Sequence, residues 1–379
     1  MTLKIGVLGY RFMGKAHANA LARLPMFFPD APDVERHTLI GRDEEALAEA
    51  ADRLGFAETS TDWEDVVDEV DVFYNLGPNF VHADPSIAAL EAGVPVLCEK
   101  PLAADLPNAE RMADAAESAA VPTATAFNYR YIPAIQYAKG LIDDGVLGEI
   151  HQFRGRYLQD WLVDPDALWS WRNDEELAGS GALGDLGAHT IDLARFLVGD
   201  VERVSGHLRT FVDERPVEGE TPEESPGGGE TAGHETKPVT VDDAYSAQAE
   251  LDDDVMATFE ASRFANGHKN DHAIEIHGSE GSLKFSLERL NELEVLRGDD
   301  RGYETVLVTD ESDPYVDHWW PPGHVIGWEH TFVHENYEFL SAVENGGEYH
   351  PNFADGLEVQ KTLDAIERSD ESGEWVEVE

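Results

Sequence analysis

The chain has 379 residues, 42% of them hydrophobic, and carries 77 Asp and Glu against 27 Lys and Arg, a formal net charge of -50. That length allows two or three domains with cores of their own, and so acidic a balance excludes nucleic acid and anionic membranes as partners. Only eight cations are lysine and the acids are scattered through periodic apolar segments, which reads as a solvated acidic surface in a salt-rich cytoplasm, where screening over about 3 Å at 1 M suppresses self-repulsion.

Met1 to Lys4 run straight into a first apolar strand. That leaves no room for a signal peptide, and no apolar run approaches the ~20 residues of a membrane span, so a cytoplasmic protein is expected. The strand ends in G-V-L-G-Y-R-F-M-G (6–14) and leads into a helix over 12–24. This is the strand, tight turn and helix of a dinucleotide fingerprint G-x-G-x-x-G, with Arg11 in the place of its middle glycine. Gly9, Arg11, Phe12 and Met13 are therefore candidate cofactor contacts.

The second strand ends Ile40-Gly41-Arg42-Asp43. An acidic residue there would hold the adenine ribose of NAD. Gly41 instead leaves space, and Arg42 offers a guanidinium suited to a 2'-phosphate, which favours NADP. The alternative is Asp43 on an NAD ribose, with Arg42 in solvent.

Helices follow over 44–54, 82–92 and 108–120, alternating with strands over 70–76, 94–98 and 123–128, with Gly93 as a helix stop. The rhythm predicts an α/β fold, a doubly wound parallel sheet filling 1–125. Cys98, the one cysteine, excludes a disulfide framework or a cysteine-based zinc cluster and reads as a buried strand end. Lys100 follows that strand, at the carboxyl edge where open parallel sheets bind ligands.

From 126 to 379 the pattern lengthens. Period-two strands over 151–157, 201–211, 244–250, 255–260, 273–277 and 282–285 predict a largely antiparallel open sheet, one face covered by helices over 133–143, 183–197 and 331–344. An exposed sheet favours a homodimer or homotetramer through this domain. The stretch 218–238 has loop composition.

In G-S-G-A-L-G-D-L-G-A-H (179–189), Asp185 and His189 stand four apart, on one helical face, where a carboxylate can orient a histidine and raise its basicity. The bland reading is a helix-start acid and a core histidine. Trp161, Trp169 and Trp171 suit either sugar stacking or packing, with Gln159, Asp160 and Arg172 at the same mouth. His330 and His334 have the spacing of a helical metal pair but no third ligand pattern, so no metal is expected. His318, Trp319, Trp320 and His324 read as a cleft loop or subunit contact.

Taken together, G-Y-R-F-M-G-K-A-H (9–17), G-P-N-F-V-H (77–82), C-E-K-P-L-A (98–103) and the segment through Asp185, His189 and Asp192 resemble the Gfo/Idh/MocA oxidoreductases over nearly the whole chain. F-N-Y-R (127–130) and Y-L-Q-D-W (157–161) are similar to the levoglucosan dehydrogenase branch. The resemblance implies an N-terminal Rossmann domain and a C-terminal substrate and oligomerisation domain. It implies hydride transfer between a nicotinamide and a secondary alcohol carbon of a sugar, anhydrosugar or cyclic polyol. Lys100, Asp185 and His189 would be the catalytic set, His189 as general base. Asn79 and His82 would line the cofactor side, with Glu99 and Asn128 near the nicotinamide. Arg11 and Gly41 depart from that branch, which has glycine and glutamate there, so its NAD preference does not carry over. The rival readings are a nicotinamide-binding sensor without turnover and a nicotinamide-assisted glycoside hydrolase of the same fold. A full proton relay argues against the sensor.

Overall fold

The computed structural model describes residues 2–217 and 235–379. Short strands alternate with amphipathic helices in the first third: β1 (Leu3–Leu8), α1 (Phe12–Phe27), β2 (Val34–Ile40), α2 (Glu44–Leu54), β3 (Glu58–Ser60), β4 (Val72–Asn75), α3 (Ala83–Glu91), β5 (Val96–Cys98), α4 (Leu106–Ala119) and β6 (Thr123–Thr125). The six strands form one parallel sheet in the order β3-β2-β1-β4-β5-β6. That is the doubly wound order whose reversal point, between β1 and β4, opens a crevice at the strands' carboxyl ends.

The outer glycines of the first turn are required there. Gly9 sits at φ +107°, and a Cβ on it would lie 2.6 Å from the Leu76 carbonyl oxygen. A Cβ on Gly14 would lie 2.2 Å from the Gly9 carbonyl, so α1 could not close against the turn with any larger residue.

The second unit continues with α5 (Pro133–Asp143), β7 (Ile150–Leu158), α6 (Glu175–Ala178), a π-type turn over Leu183–Gly187, α7 (Ala188–Leu197) and β8 (Val201–Arg209). A short hairpin of β9 (Glu214–Pro216) and β10 (Thr236–Pro238) precedes β11 (Ala244–Leu251), β12 (Val255–Ser262), β13 (Asp271–Gly278), β14 (Gly281–Ser286), β15 (Glu292–Arg297) and β16 (Glu304–Leu307). Helices α8 (Glu329–Asn345) and α9 (Phe353–Ser372) and strand β17 (Val376–Glu377) complete the chain. Nine strands form a sheet in the order β16-β15-β14-β13-β7-β12-β11-β8-β17. Every pairing is antiparallel except β7 with β12. Strict alternation sets the faces: Val255, Ala257, Phe259 and Ala261 are buried, whereas Met256, Thr258 and Glu260 are exposed.

Three expectations change. The helix expected over 331–344 packs against α1 of the nucleotide-binding unit, and the sheet is covered by α5, α7 and the unforeseen α9. Strands β15 and β16 extend the sheet beyond 285. Of the stretch 218–238, residues 218–234 lie outside the described residues, and 236–238 are paired strand. Among the described residues no helix is long and apolar enough to cross a membrane.

Candidate active site

The crevice begins at the glycine turn. Helix α1 opens at Arg11 with no side-chain cap and no acid in its first turn, so its leading N–H groups suit a cofactor phosphate. Arg11 is exposed and Met13 half-buried. Phe12, 65% exposed, stacks on Trp328 at 5.5 Å and so links this turn to the second unit. Arg42 is exposed, while Asp43 accepts from Ala46 N at 3.0 Å as the N-cap of α2. Gly41 has a second cause: a Cβ there would lie 2.3 Å from the Tyr10 ring. The space next to the strand end is taken by Tyr10, and Gly41 alone does not clear room for a phosphate.

Glu99 is buried, one oxygen 3.3 Å from His17 Nε2 and the other accepting from Lys100 N at 3.2 Å. Asn336 donates to His17 Nδ1 at 3.1 Å, which leaves Nε2 to donate to Glu99. Asn128 is buried and donates to Thr331 Oγ1 at 2.7 Å. Asn79 donates to the Ala178 carbonyl at 2.8 Å, joining the two units. His82 does not line the crevice: it is fully buried, its ring nitrogens 3.0 Å from the carbonyls of Pro101 and Gly77. It braces the turn after β4 against the segment that carries Lys100.

The three expected catalytic residues meet in one place. Lys100 Nζ donates to the Asp185 carbonyl oxygen at 2.6 Å and to Asp185 Oδ1 at 3.3 Å. Burial alone would raise the Asp185 pKa, but Lys100, Arg263 and Arg172 overcome it and hold the carboxyl far below its usual range. His189 is 6% exposed, and its Nδ1 is buried without a hydrogen-bond partner. Burial, then Lys100 and His272, push its pKa well below the usual histidine value, with Asp185 opposing. The imidazole is therefore neutral at pH 7 and able to accept a proton.

One expectation fails here. The Asp185 carboxylate does not orient His189; it spans Lys100 and Arg263, with Oδ2 3.2 Å from Arg263 Nη2. The turn over 183–187 is wound as π rather than α, so the four-residue spacing does not produce the helical neighbour pair. Aromatic rings orient His189 instead, with Tyr129 at 4.5 Å and Phe127 and Tyr157 at 6.0 Å.

Around this cluster lies a mouth of polar and aromatic groups. Gln159 donates to Asn270 Oδ1 at 2.7 Å and accepts from Trp161 Nε1 at 2.9 Å. Trp161 is 45% exposed, and Arg172 stacks on Trp171 at 4.5 Å. Asp160 turns away, its carboxylate taken by Lys269 Nζ at 2.6 Å and Gly267 N at 3.1 Å. Trp169 donates to the Pro238 carbonyl and is held by the β9–β10 hairpin. His334 is a packing residue: Nδ1 lies 2.9 Å from the Tyr131 carbonyl and Nε2 accepts from Trp319 at 2.8 Å. His318 stacks on Phe28 at 4.1 Å, so this loop seals the end of α1. Arg263, His272 and Asn270 are the site residues that the sequence did not mark.

Comparison with known proteins matches the sequence and the fold. Residues 3–127 fit the model of the oxidoreductase family with an NAD-binding Rossmann fold, and 135–284 that of the GFO/IDH/MocA C-terminal domain. A levoglucosan dehydrogenase from Pseudarthrobacter phenanthrenivorans is 41% identical over 390 residues, spanning 99% of this chain and 98% of that one. A structure of levoglucosan dehydrogenase in complex with NADH and levoglucosan superposes with a TM-score of 0.93 at 39% identity, covering 100% of both chains. An oxidoreductase domain protein from Kribbella flavida gives 0.93 at 44% identity, also over 100% of both. With both halves matched by the family's models and a relative 41% identical over 99% of its length, the chain belongs to the Gfo/Idh/MocA family of nicotinamide-dependent oxidoreductases.

Proposed function

We propose that the protein is a cytoplasmic dehydrogenase that oxidises a secondary alcohol of a sugar, with an anhydrosugar of the levoglucosan type as the favoured substrate and NADP as the preferred cofactor. The observation that carries the chemistry is the meeting of Lys100, Asp185 and His189 at the carboxyl end of β5. The uncapped start of α1, the Gly9 turn and Arg11 would hold the pyrophosphate, and Arg42 the 2'-phosphate, while Asp43 is engaged as a helix cap.

In the oxidative direction the substrate hydroxyl gives its proton to the neutral His189 ring. An ammonium has three donors; Lys100 directs two at Asp185, and the third is left for the substrate oxygen, steadying its developing negative charge. Asp185 stays ionised and anchors that ammonium. A nicotinamide bound in the crevice would supply the acceptor for the hydride leaving that carbon. Gln159, Trp161 and Arg172 would bind the remaining hydroxyls and the C–H face of the ring.

We further propose residues 1–125 as the cofactor domain and 126–379 as the substrate and oligomerisation domain. The outer face of the nine-stranded sheet carries Arg154, Arg156 and Lys284 beside Glu260, Glu275 and Glu294 around an open trough of about 800 Å³. A mixed-charge face on so acidic a chain suits a second copy, giving a homodimer or homotetramer; light scattering after gel filtration tests it.

Purified protein in concentrated KCl should change nicotinamide absorbance with NADP on at least one of a panel of pentoses, hexoses, anhydrosugars and inositols. Absence of turnover on all of them, with either cofactor, would overturn the reading in favour of a sensor.

A further inference from the structure

Directly after β12 stands Arg263, an arginine whose side chain is only 1% exposed. Burying a guanidinium is costly unless its donors are used, and most of them are. Nη2 donates to the Gly181 carbonyl at 2.8 Å and to Asp185 Oδ2 at 3.2 Å, and Nη1 to the Arg172 carbonyl at 3.3 Å. The guanidinium lies 5.7 Å from the centre of the Trp161 ring. One cation thus touches the segments bearing Arg172, Asp185 and Trp161.

A second group from the same end of the sheet completes the grip. Asp242, just before β11, accepts from Gly181 N at 2.6 Å and Leu183 N at 2.9 Å, fixing the start of the π-type turn. Asp185 then has its two oxygens divided, Oδ1 toward Lys100 and Oδ2 toward Arg263. Without the second cation, Oδ2 would lose the hydrogen bond that holds it on that side, freeing the carboxylate to turn toward His189. The groups facing His189 are Lys100, Asp185, His272 and the rings of Phe127, Tyr129 and Tyr157, so Asp185 is the anion that can change its charge balance.

We propose that Arg263 is a positioning residue that holds the Asp185 carboxylate on Lys100 and away from His189, so that one acid anchors the lysine without making the histidine a protonated partner. The inference rests on the dehydrogenase reading for its kinetic consequence, but its direct test does not. It predicts a division of labour in which the fork of the guanidinium sets geometry and its charge sets the proton affinity of His189.

The test compares wild type with R263K and R263M in concentrated KCl. Proton affinity is read by NMR titration of the His189 imidazole, assigned with His189→Asn, and catalysis by kcat and KM on the best sugar. In R263M, His189 should titrate about one unit higher, as expected for a carboxylate brought near it, and kcat should fall about 100-fold with cofactor affinity unchanged. R263K, which keeps the charge and loses the fork, should return the titration to within a few tenths of wild type while kcat stays about tenfold down. An unshifted His189 in folded R263M, or wild-type kcat in R263K, overturns the proposal. Should R263M not fold, R263K decides alone: a fall in kcat with an unmoved titration supports it, and wild-type kcat overturns it. A wild-type protein without turnover sinks the dehydrogenase reading, and the His189 titration still judges Arg263.

Discussion

The Lys100 ammonium sits 2.6 Å from the main-chain carbonyl oxygen of Asp185 and 3.3 Å from its Oδ1, so a strand end in one unit and a turn in the other are joined at the reacting centre. Lys100→Met removes the ammonium while keeping the stem. The expected result is a loss of kcat of about 10²- to 10⁴-fold, with NADP affinity by fluorescence titration within twofold of wild type. Retained turnover would remove Lys100 from the mechanism.

Because burial and the Lys100 charge depress the His189 pKa, protonation of the free enzyme's base falls well below pH 6.5. The acid side of the kcat/KM profile should therefore stay level from pH 7 down through pH 6 and turn down only beyond that. A break at 6.5 or above would show that His189 is not the base. His189→Asn should abolish the profile's acid limb along with most of the rate.

The parallel half of the fold was legible because short apolar strands and amphipathic helices alternate with little else between them. Lys100 stood out as a rare lysine at a strand's carboxyl end. Helix α9 was missed although Asn352 and Asp355 form a capping box, the signal that marks its start. Asp185 and His189 were found, but their spacing misled, since π winding is set by how Asp242 and Arg263 hold the turn from distant strands. Arg263 itself carries no local mark: in S-R-F-A only burial distinguishes it from a surface arginine.

Cofactor preference depends on Arg42, which is exposed beside the cap of α2. Arg42→Ala should weaken NADP binding at least about tenfold, roughly 1.4 kcal/mol, and leave NAD binding unchanged. Gly41 is expected to act through packing: Gly41→Ala brings a methyl to 2.3 Å from the Tyr10 ring and should cost about 1–3 kcal/mol of stability. Equal loss for both cofactors in Arg42→Ala would place the 2'-phosphate elsewhere.

Glu335 on α8 is fully buried, and neither carboxylate oxygen has a hydrogen-bond partner. Burial, helped by Glu99 and Asp192, raises its pKa well above the usual value, so the folded chain holds it protonated. Such a group stabilises fully below the unfolded pKa of about 4.3 and loses that contribution as pH rises through the folded value. Glu335→Gln removes the dependence. From pH 5 upward, wild type should lose stability relative to this variant by up to about 1.4 kcal/mol per pH unit, measured by urea unfolding. Parallel stability curves for the two proteins would mean that Glu335 is ionised in the fold.

The net charge of -50 sets the last expectation. Like charges on a compact surface repel, and at 0.1 M salt the screening length of about 10 Å leaves neighbouring carboxylates in contact electrostatically; at 1 M it falls to about 3 Å. Unfolding spreads those charges apart, so low salt favours the unfolded chain. The melting temperature should rise steeply as KCl goes from 0.1 to 1 M and more slowly beyond, because most of the screening is complete by then. Sucrose, an excluded neutral solute, stabilises through burial instead and should give a gradual rise with no early steep phase. A melting temperature indifferent to KCl, or a KCl curve of the same shape as the sucrose curve, would show that self-repulsion does not limit this fold.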